Sequence, residues 1–200
     1  MRNFTLLHAG LDIVPAALEL FSNEALWNQN TLRTVTPGSP HRDVDDIWLR
    51  MTDLTKCQQS DQFDGAVADH RECRAYPAWY ELPACASLVT WAAARVRAVR
   101  HGRAMISRLP PGKTITPHCD IGPDPTKHYD FEPYWSRFHV VLRGLPGSVF
   151  SCGDEQVQMR TGELWCFRGE LEHSVVNESA ADRVHLVMDF RLDRQLELAA

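Results

Sequence analysis

The six cysteines, Cys57, Cys73, Cys85, Cys119, Cys152 and Cys166, include no CxxC pair, so neither a zinc knuckle nor a disulfide framework is indicated. Reduced thiols are the expectation. Long apolar runs are also lacking. The stretch from Met1 to Leu20 is broken by His8, Asp12, Pro15 and Glu19, unlike the unbroken apolar core of a signal peptide, and nowhere is a run long enough to span a bilayer. A cytoplasmic protein with no membrane partner is expected. Nor do the basic residues gather: Lys and Arg number 21 against 26 Asp and Glu, for a formal charge of -5. Without a basic stripe to neutralise a phosphate backbone, nucleic acid is excluded as an expected partner. Internal repeats and low-complexity tracts are missing too.

What is present is apolar content sufficient for one core. Hydrophobic residues make up 44% of 200, which suits one domain over residues 1–200. Residues 1–103 read as a mixed, helix-containing part. Helical spacing runs from Ala16 to Trp27, and turn clusters stand at Thr36-Pro37-Gly38-Ser39-Pro40 and around Asp61 to Gly65. From Ala84 to Arg100, Cys85, Leu88, Val89, Ala92, Val96 and Val99 recur at helical spacing, with Arg95, Arg97 and Arg100 toward the end where cations offset the dipole. That spacing predicts a helix ending near Gly102.

Beyond Gly102 the period shortens. Alternating or β-branched runs separated by Gly, Pro, Asn and Asp predict strands near 103–109, 113–118, 137–143, 147–151, 155–160, 163–167, 172–176 and 183–191. A helical half followed by short strands is the pattern of a mainly β fold with flanking helices, a double-stranded β-helix (jelly roll, cupin-like) whose catalytic core would be residues 104–191. The proline-bearing segment Ile121 to Trp135 reads as a long loop inserted between strands, a candidate lid or binding element.

Three His-x-Asp triplets occur: His41-Arg42-Asp43, His118-Cys119-Asp120 and His128-Tyr129-Asp130. Only the second ends a strand pattern, Thr114-Ile115-Thr116. Side chains alternate across a strand, so His118 and Asp120 would point the same way with Cα atoms roughly 6–7 Å apart. Two histidines and one carboxylate on one face of an iron ion leave three positions open for O2 and an oxo-acid. His173, in Glu172-His173-Ser174-Val175-Val176-Asn177, is the candidate third ligand. Ten residues on, Arg183 opens a strand in which Arg183, His185, Val187 and Asp189 share one face while Val184, Leu186, Met188 and Phe190 share the other. With the second face in the core, Arg183 would face the pocket, where its planar fork suits the far carboxylate of a diacid. The run Arg137 to Leu142 repeats the logic, with Arg137, His139 and Val141 on one side.

These residues resemble the catalytic domain of the aspartyl/asparaginyl β-hydroxylase family. The likeness lies in Ile106-Ser107-Arg108-Leu109-Pro110-Pro111-Gly112, Pro117-His118-Cys119-Asp120, Arg137-Phe138-His139 and the stretch from His173 to Arg183, with Asp45 to Arg50 resembling the family's lead-in. The resemblance implies a jelly-roll dioxygenase using Fe(II), 2-oxoglutarate and O2 to hydroxylate an unactivated carbon of an amino acid or of a residue in a peptide. Matched by motif, His118, Asp120 and His173 would hold iron, Ser107 and Arg183 would bind the C5 carboxylate of 2-oxoglutarate, and His139 would lie near its C1 end. Arg137 would bind 2-oxoglutarate or a substrate carboxylate. The best-known vertebrate members lack the carboxylate that Asp120 supplies, so the chain resembles the complete-triad branch.

Other residues have plainer readings. His8, His70 and His101 have no second ligand at useful spacing, and His41, Arg42 and Arg50 could reach substrate from the N-terminal half, although charged groups beside a Pro/Gly turn are usually solvated. His185 divides evenly between plain packing and a role in contacting substrate or supporting the site. Two rival functions fit the same pattern: a cupin-like domain that binds or senses metal and a small acid without turnover, and a zinc-dependent hydrolase or isomerase using His118 and His173.

Overall fold

A computed structural model of the chain describes residues 2–54, 73–120 and 135–193. Strand β1 (Phe4–His8) precedes helix α1 (Val14–Ser22), a 3-10 turn (Glu24–Leu26), the single turn α2 (Leu32–Val35), strands β2 (Asp45–Thr52) and β3 (Cys73–Ala75), and helices α3 (Pro77–Glu81) and α4 (Pro83–Arg95). There follow β4 (Ala98–Leu109), β5 (Thr114–His118), β6 (Trp135–Arg143), β7 (Ser148–Cys152), β8 (Glu155–Val157), β9 (Leu164–Phe167), β10 (His173–Asn177) and β11 (Arg183–Leu192).

These strands form a seven-stranded sheet in the order β1-β9-β6-β11-β4-β2-β3 and a four-stranded sheet in the order β5-β10-β7-β8, all pairs antiparallel. The period-two pattern sorts each central strand into two faces. On the large sheet, Ile47, Ile106, Phe138, Val140, Leu186 and Met188 pack with Leu20, Cys85, Val89 and Ala92 of the helices. The opposite face supplies Leu109, Val141 and Phe167 to a second cluster with Phe150 and Val175 of the small sheet. This second cluster lies between the sheets, as a double-stranded β-helix requires. The polar residues of the same face, Ser107, Arg137, His139, Arg183, His185 and Asp189, are buried or nearly so, and their clustering on one side marks the site.

The helices are set by local chemistry. Pro83 opens α4, where a missing N–H costs nothing. The next two N–H groups, of Ala84 and Cys85, donate to the Glu19 carboxylate of α1 at 2.7 and 3.0 Å, which caps one helix with the side of another. Among the described residues no helix is long and apolar enough to cross a membrane.

Several boundaries differ from expectation: the strand near 155–160 ends at Val157, and the helical spacing from Ala16 to Trp27 resolves into α1 and a 3-10 turn. Helix α4 stops at Arg95, not near Gly102, and β4 starts at Ala98. The reversal is made at Arg97, whose φ of 53° places a non-glycine residue in the left-handed region, so no glycine marks the stop. Val96 and Val99 continued the apolar spacing by coincidence, and Val99 is exposed on β4. The expected division at 103/104 consequently falls inside β4, and β1, β2 and β3 of the first part pair into the large sheet. The turn cluster around Asp61 to Gly65 and the insertion lie outside the described residues, save Trp135, which opens β6.

Candidate metal centre

His173 heads β10, whose register sets it opposite His118 at the end of β5 on one side and Cys152 of β7 on the other. Asp120 follows His118 by two residues, and its backbone N–H donates to the Gly169 carbonyl at 2.9 Å. The ligand atoms that His118, Asp120 and His173 offer lie within 4.8 Å of one another. The three residues named from the sequence are therefore together in space.

Their hydrogen bonds fix which atoms face inward. His118 Nδ1 stands 2.8 Å from the Thr116 carbonyl and His173 Nδ1 stands 2.9 Å from the Leu171 carbonyl. A carbonyl only accepts, so each Nδ1 must carry the proton and each Nε2 is left as a lone pair. His118 Nε2 and Asp120 Oδ2 are buried without a hydrogen-bond partner among the described residues. His173 Nε2 faces Asp120 Oδ2 at 3.6 Å. Both imidazoles are held in the neutral form: burial pushes His118 down to about 4 and lowers His173 as well. Two lone-pair atoms thus face each other with no proton between them, an arrangement that a cation would relieve. The donor set of two imidazoles and one carboxylate fits a divalent first-row metal with open positions.

Gly169 makes room for the carboxylate. A Cβ built there would stand 2.6 Å from Asp120 Oδ2 and 3.4 Å from its Cβ. Gly169→Ala is expected to leave the fold intact, because the displaced atom is a side-chain tip, while weakening divalent-metal binding by about 10–100-fold. Titration with Mn(II) alongside a circular-dichroism spectrum checks both halves.

On the large sheet, Arg183 is 3% exposed and no carboxylate pairs with it among the described residues. Its Nη2 donates to His185 Nδ1 at 3.0 Å, and its guanidinium lies 5.7 Å from the Phe150 ring centroid. Burial pushes the Arg183 pKa down to about 9. Arginine has no acceptor, so His185 Nδ1 is unprotonated, and the contact of 3.1 Å between His185 Nδ1 and His139 Nδ1 must use the proton of His139. His139 Nε2 is then a bare, buried acceptor with no partner among the described residues. Burial first, and the Arg183 guanidinium second, push both histidines well below the ordinary imidazole value. Ser107 pairs with His185 across β4 and β11, which puts it on the same face as Arg183.

Arg137, expected to grip a small acid, has its guanidinium on two carboxylates of the protein. Nη1 donates to Asp120 Oδ1, and Nε and Nη2 donate to Asp189 at 2.8 and 3.1 Å. His41, expected to be solvated, instead packs edge-on against His118 with ring centroids 4.8 Å apart, and its Nδ1 is buried without a partner among the described residues. The turn bearing it is fastened to β5 by the bond from Thr116 N–H to the Pro40 carbonyl, 3.1 Å. Arg33, which the sequence did not single out, grips Asp46 through two bonds of 2.8 Å and reaches Ser107 Oγ at 3.4 Å. Nothing in its spacing marked it, because α2 is a single turn. His8 and His101 lie against Trp91 and Phe190, Arg50 donates to the Cys73 carbonyl, and Arg42 is exposed. His70 and His128 are outside the described residues.

Two facing antiparallel sheets with a converging His, Asp, His cluster at one end define a double-stranded β-helix protein with a candidate metal centre. The profile of the aspartyl/asparaginyl beta-hydroxylase family matches residues 66–192, more than half of the chain, and the chain belongs to that family. It is 31% identical over 93 residues to an L-proline cis-4-hydroxylase of Rhizobium meliloti (strain 1021), a match that covers 46% of this chain and 30% of that protein. The chain thus spans less than a third of the length of this relative. Among solved structures, a 2OG-Fe(II) oxygenase family oxidoreductase from Burkholderia pseudomallei superposes with a TM-score of 0.51 at 14% identity, covering 90% of this chain and 89% of that one. A Pseudomonas putida prolyl-4-hydroxylase superposes with a TM-score of 0.50 at 15% identity, covering 96% and 94%. At such identities the likeness is one of fold.

Proposed function

We propose that this protein is an Fe(II)- and 2-oxoglutarate-dependent dioxygenase that hydroxylates an amino acid, free or within a peptide. The observation that carries the reading is the juxtaposition of two unlike sites on facing sheets. One is a cluster of unprotonated donor atoms from His118, Asp120 and His173; the other is a buried guanidinium, Arg183, with no carboxylate beside it among the described residues. A diacid that chelates a metal through its keto-acid end and presents a carboxylate at the other would serve both. Iron bound here would supply the redox change by which 2-oxoglutarate, O2 and a C–H bond become succinate, CO2 and a C–OH group.

The chain's own residues then have separable tasks. His118 and His173 present fixed, neutral Nε2 atoms, and Asp120 presents Oδ2. Arg183 and Ser107 hold the far carboxylate, with His139 toward the other end. Burial strengthens each of these contacts by excluding water, and the fixed side chains would orient an acceptor C–H bond toward bound iron. As acceptors, Asp and Asn follow from the family, and proline from the relative's printed activity.

The test is direct. Anaerobically iron-loaded protein is given 2-oxoglutarate, O2 and a panel of free amino acids and Asp-, Asn- or Pro-containing peptides, and products are read by mass spectrometry. The expected result is one added oxygen atom in the acceptor with matching succinate. Metal binding without any consumption of 2-oxoglutarate would favour a sensing domain instead.

A further inference from the structure

The Asp120 carboxylate has two oxygens with different neighbours. Oδ2 faces His173 Nε2, whereas Oδ1 accepts from Arg137 Nη1. Arg137 belongs to β6 of the large sheet, Asp120 follows β5 of the small one, and the guanidinium therefore reaches across the sandwich. Behind it stands Asp189, directly opposite Arg137 in the register of β6 and β11. Asp189 is 3% exposed and accepts from Arg137 through both oxygens, at 2.8 Å to Oδ1 and 3.1 Å to Oδ2. Arg103 of β4 donates to Asp189 Oδ2 at 2.8 Å. The line runs Arg103, Asp189, Arg137, Asp120, alternating in charge and ending on a candidate ligand residue.

We propose that Asp189 is a positioning residue for the metal centre, acting through Arg137 to hold Asp120 with Oδ2 toward the ion; this rests on the reading of His118, Asp120 and His173 as metal ligands. The argument is one of counter-charge. A guanidinium buried beside Asp120 alone would lose its compensation when a divalent ion drew on the same carboxylate, and an uncompensated buried charge is strongly unfavourable. The cation and the ion would compete for one acid group. With Asp189 present, Arg137 keeps an anionic partner, shared with Arg103, after metal binding, and its fork geometry leaves Nη1 aimed at Asp120. Arg103 occupies the remaining side of Asp189 and keeps that carboxylate from turning away from Arg137. Three of the five N–H donors of Arg137 are thereby committed to protein carboxylates, which suits it to orienting Asp120.

The experiment uses the full chain and Mn(II) alone as a redox-stable probe. Three quantities are measured for the wild type, Asp189→Asn and Arg137→Lys: the Mn(II) dissociation constant by electron paramagnetic resonance, the Tm of the metal-free protein, and the rise in Tm at saturating Mn(II). Asp189→Asn should weaken Mn(II) by about 10–100-fold and shrink the metal-induced rise in Tm accordingly. Arg137→Lys keeps the charge but cannot bridge both carboxylates with a fork, so it should move the constant in the same direction. A merely structural role for Asp189 would lower the metal-free Tm and leave the Mn(II) constant alone. Either folded variant binding Mn(II) like the wild type overturns the inference. If Asp189→Asn does not fold, Arg137→Lys decides. Failure of the wild type itself to bind Mn(II) would instead overturn the reading of the triad.

Discussion

His173→Ala is expected to abolish iron-dependent turnover of 2-oxoglutarate, with a loss well beyond the roughly 100-fold that accompanies removal of a group merely supporting a ligand. The other imidazoles of the site, His41 and His139, are seated against His118 and His185. His173 is 5% exposed and packs against Phe167 and Phe150, at 4.9 and 6.0 Å between ring centroids, so no polar side chain can swing into its place without disturbing the cluster between the sheets. Its Nδ1 proton is tied to the Leu171 carbonyl at 2.9 Å, and that bond makes Nε2 a ready donor at neutral pH. Release of CO2 from labelled 2-oxoglutarate reads the effect, and a parallel Mn(II) titration separates lost metal from lost chemistry. Asp120→Ala should behave nearly alike, with partial recovery only if water or a halide fills the position. Full coupled turnover by the His173 variant would remove the basis of the proposed function.

The strands carrying these residues were legible because they alternate cleanly. In β11, Val184, Leu186, Met188 and Phe190 all reach the core cluster beneath the helices, and the opposite face holds Arg183, His185 and Asp189, all buried. β6 repeats the arrangement. β2 escaped because Ile47, Trp48 and Leu49 are consecutive apolar residues buried on both faces of a strand flanked by β3 and β4, and a run without alternation has no strand signature of its own. The pocket's supports were harder still to foresee. Asp189 shows on the right face in the sequence, yet its partner depends on the register that sets it opposite Arg137. Gly169 matters only because Asp120 lies within 2.6 Å of where its Cβ would be. Arg33 and His41 come from the first part, brought in by backbone bonds such as that from Thr116 to Pro40. Motif and period picked out the candidate ligands, and contacts between remote segments supplied what orients them.

Arg183→Met should separate function from stability in opposite directions. Function would fall: the proposed charge-assisted contact to the far carboxylate of 2-oxoglutarate would be lost, and truncating such a buried partner costs about 2–5 kcal/mol, at least about 30-fold in Kd. Stability of the ligand-free protein would rise. The guanidinium is 3% exposed, its pKa is pushed down to about 9 by burial alone, and its described partners are the His185 ring nitrogen and the face of Phe150. A methionine of similar length fills the same space and removes a desolvated charge that has no carboxylate beside it among the described residues, a burden on the order of several kcal/mol per ion. The variant also relieves the two neighbouring histidines. With Arg183 gone, the second-largest influence lowering both His139 and His185 disappears, so their pKa values should climb back toward the ordinary imidazole range although burial still holds them below it. Isothermal titration of 2-oxoglutarate into the Mn(II)-loaded protein, together with the Tm of the metal-free protein, tests both signs at once. A variant that is less stable and yet binds 2-oxoglutarate normally would mean that Arg183 is a structural cation, and that the diacid, if it binds, is held elsewhere.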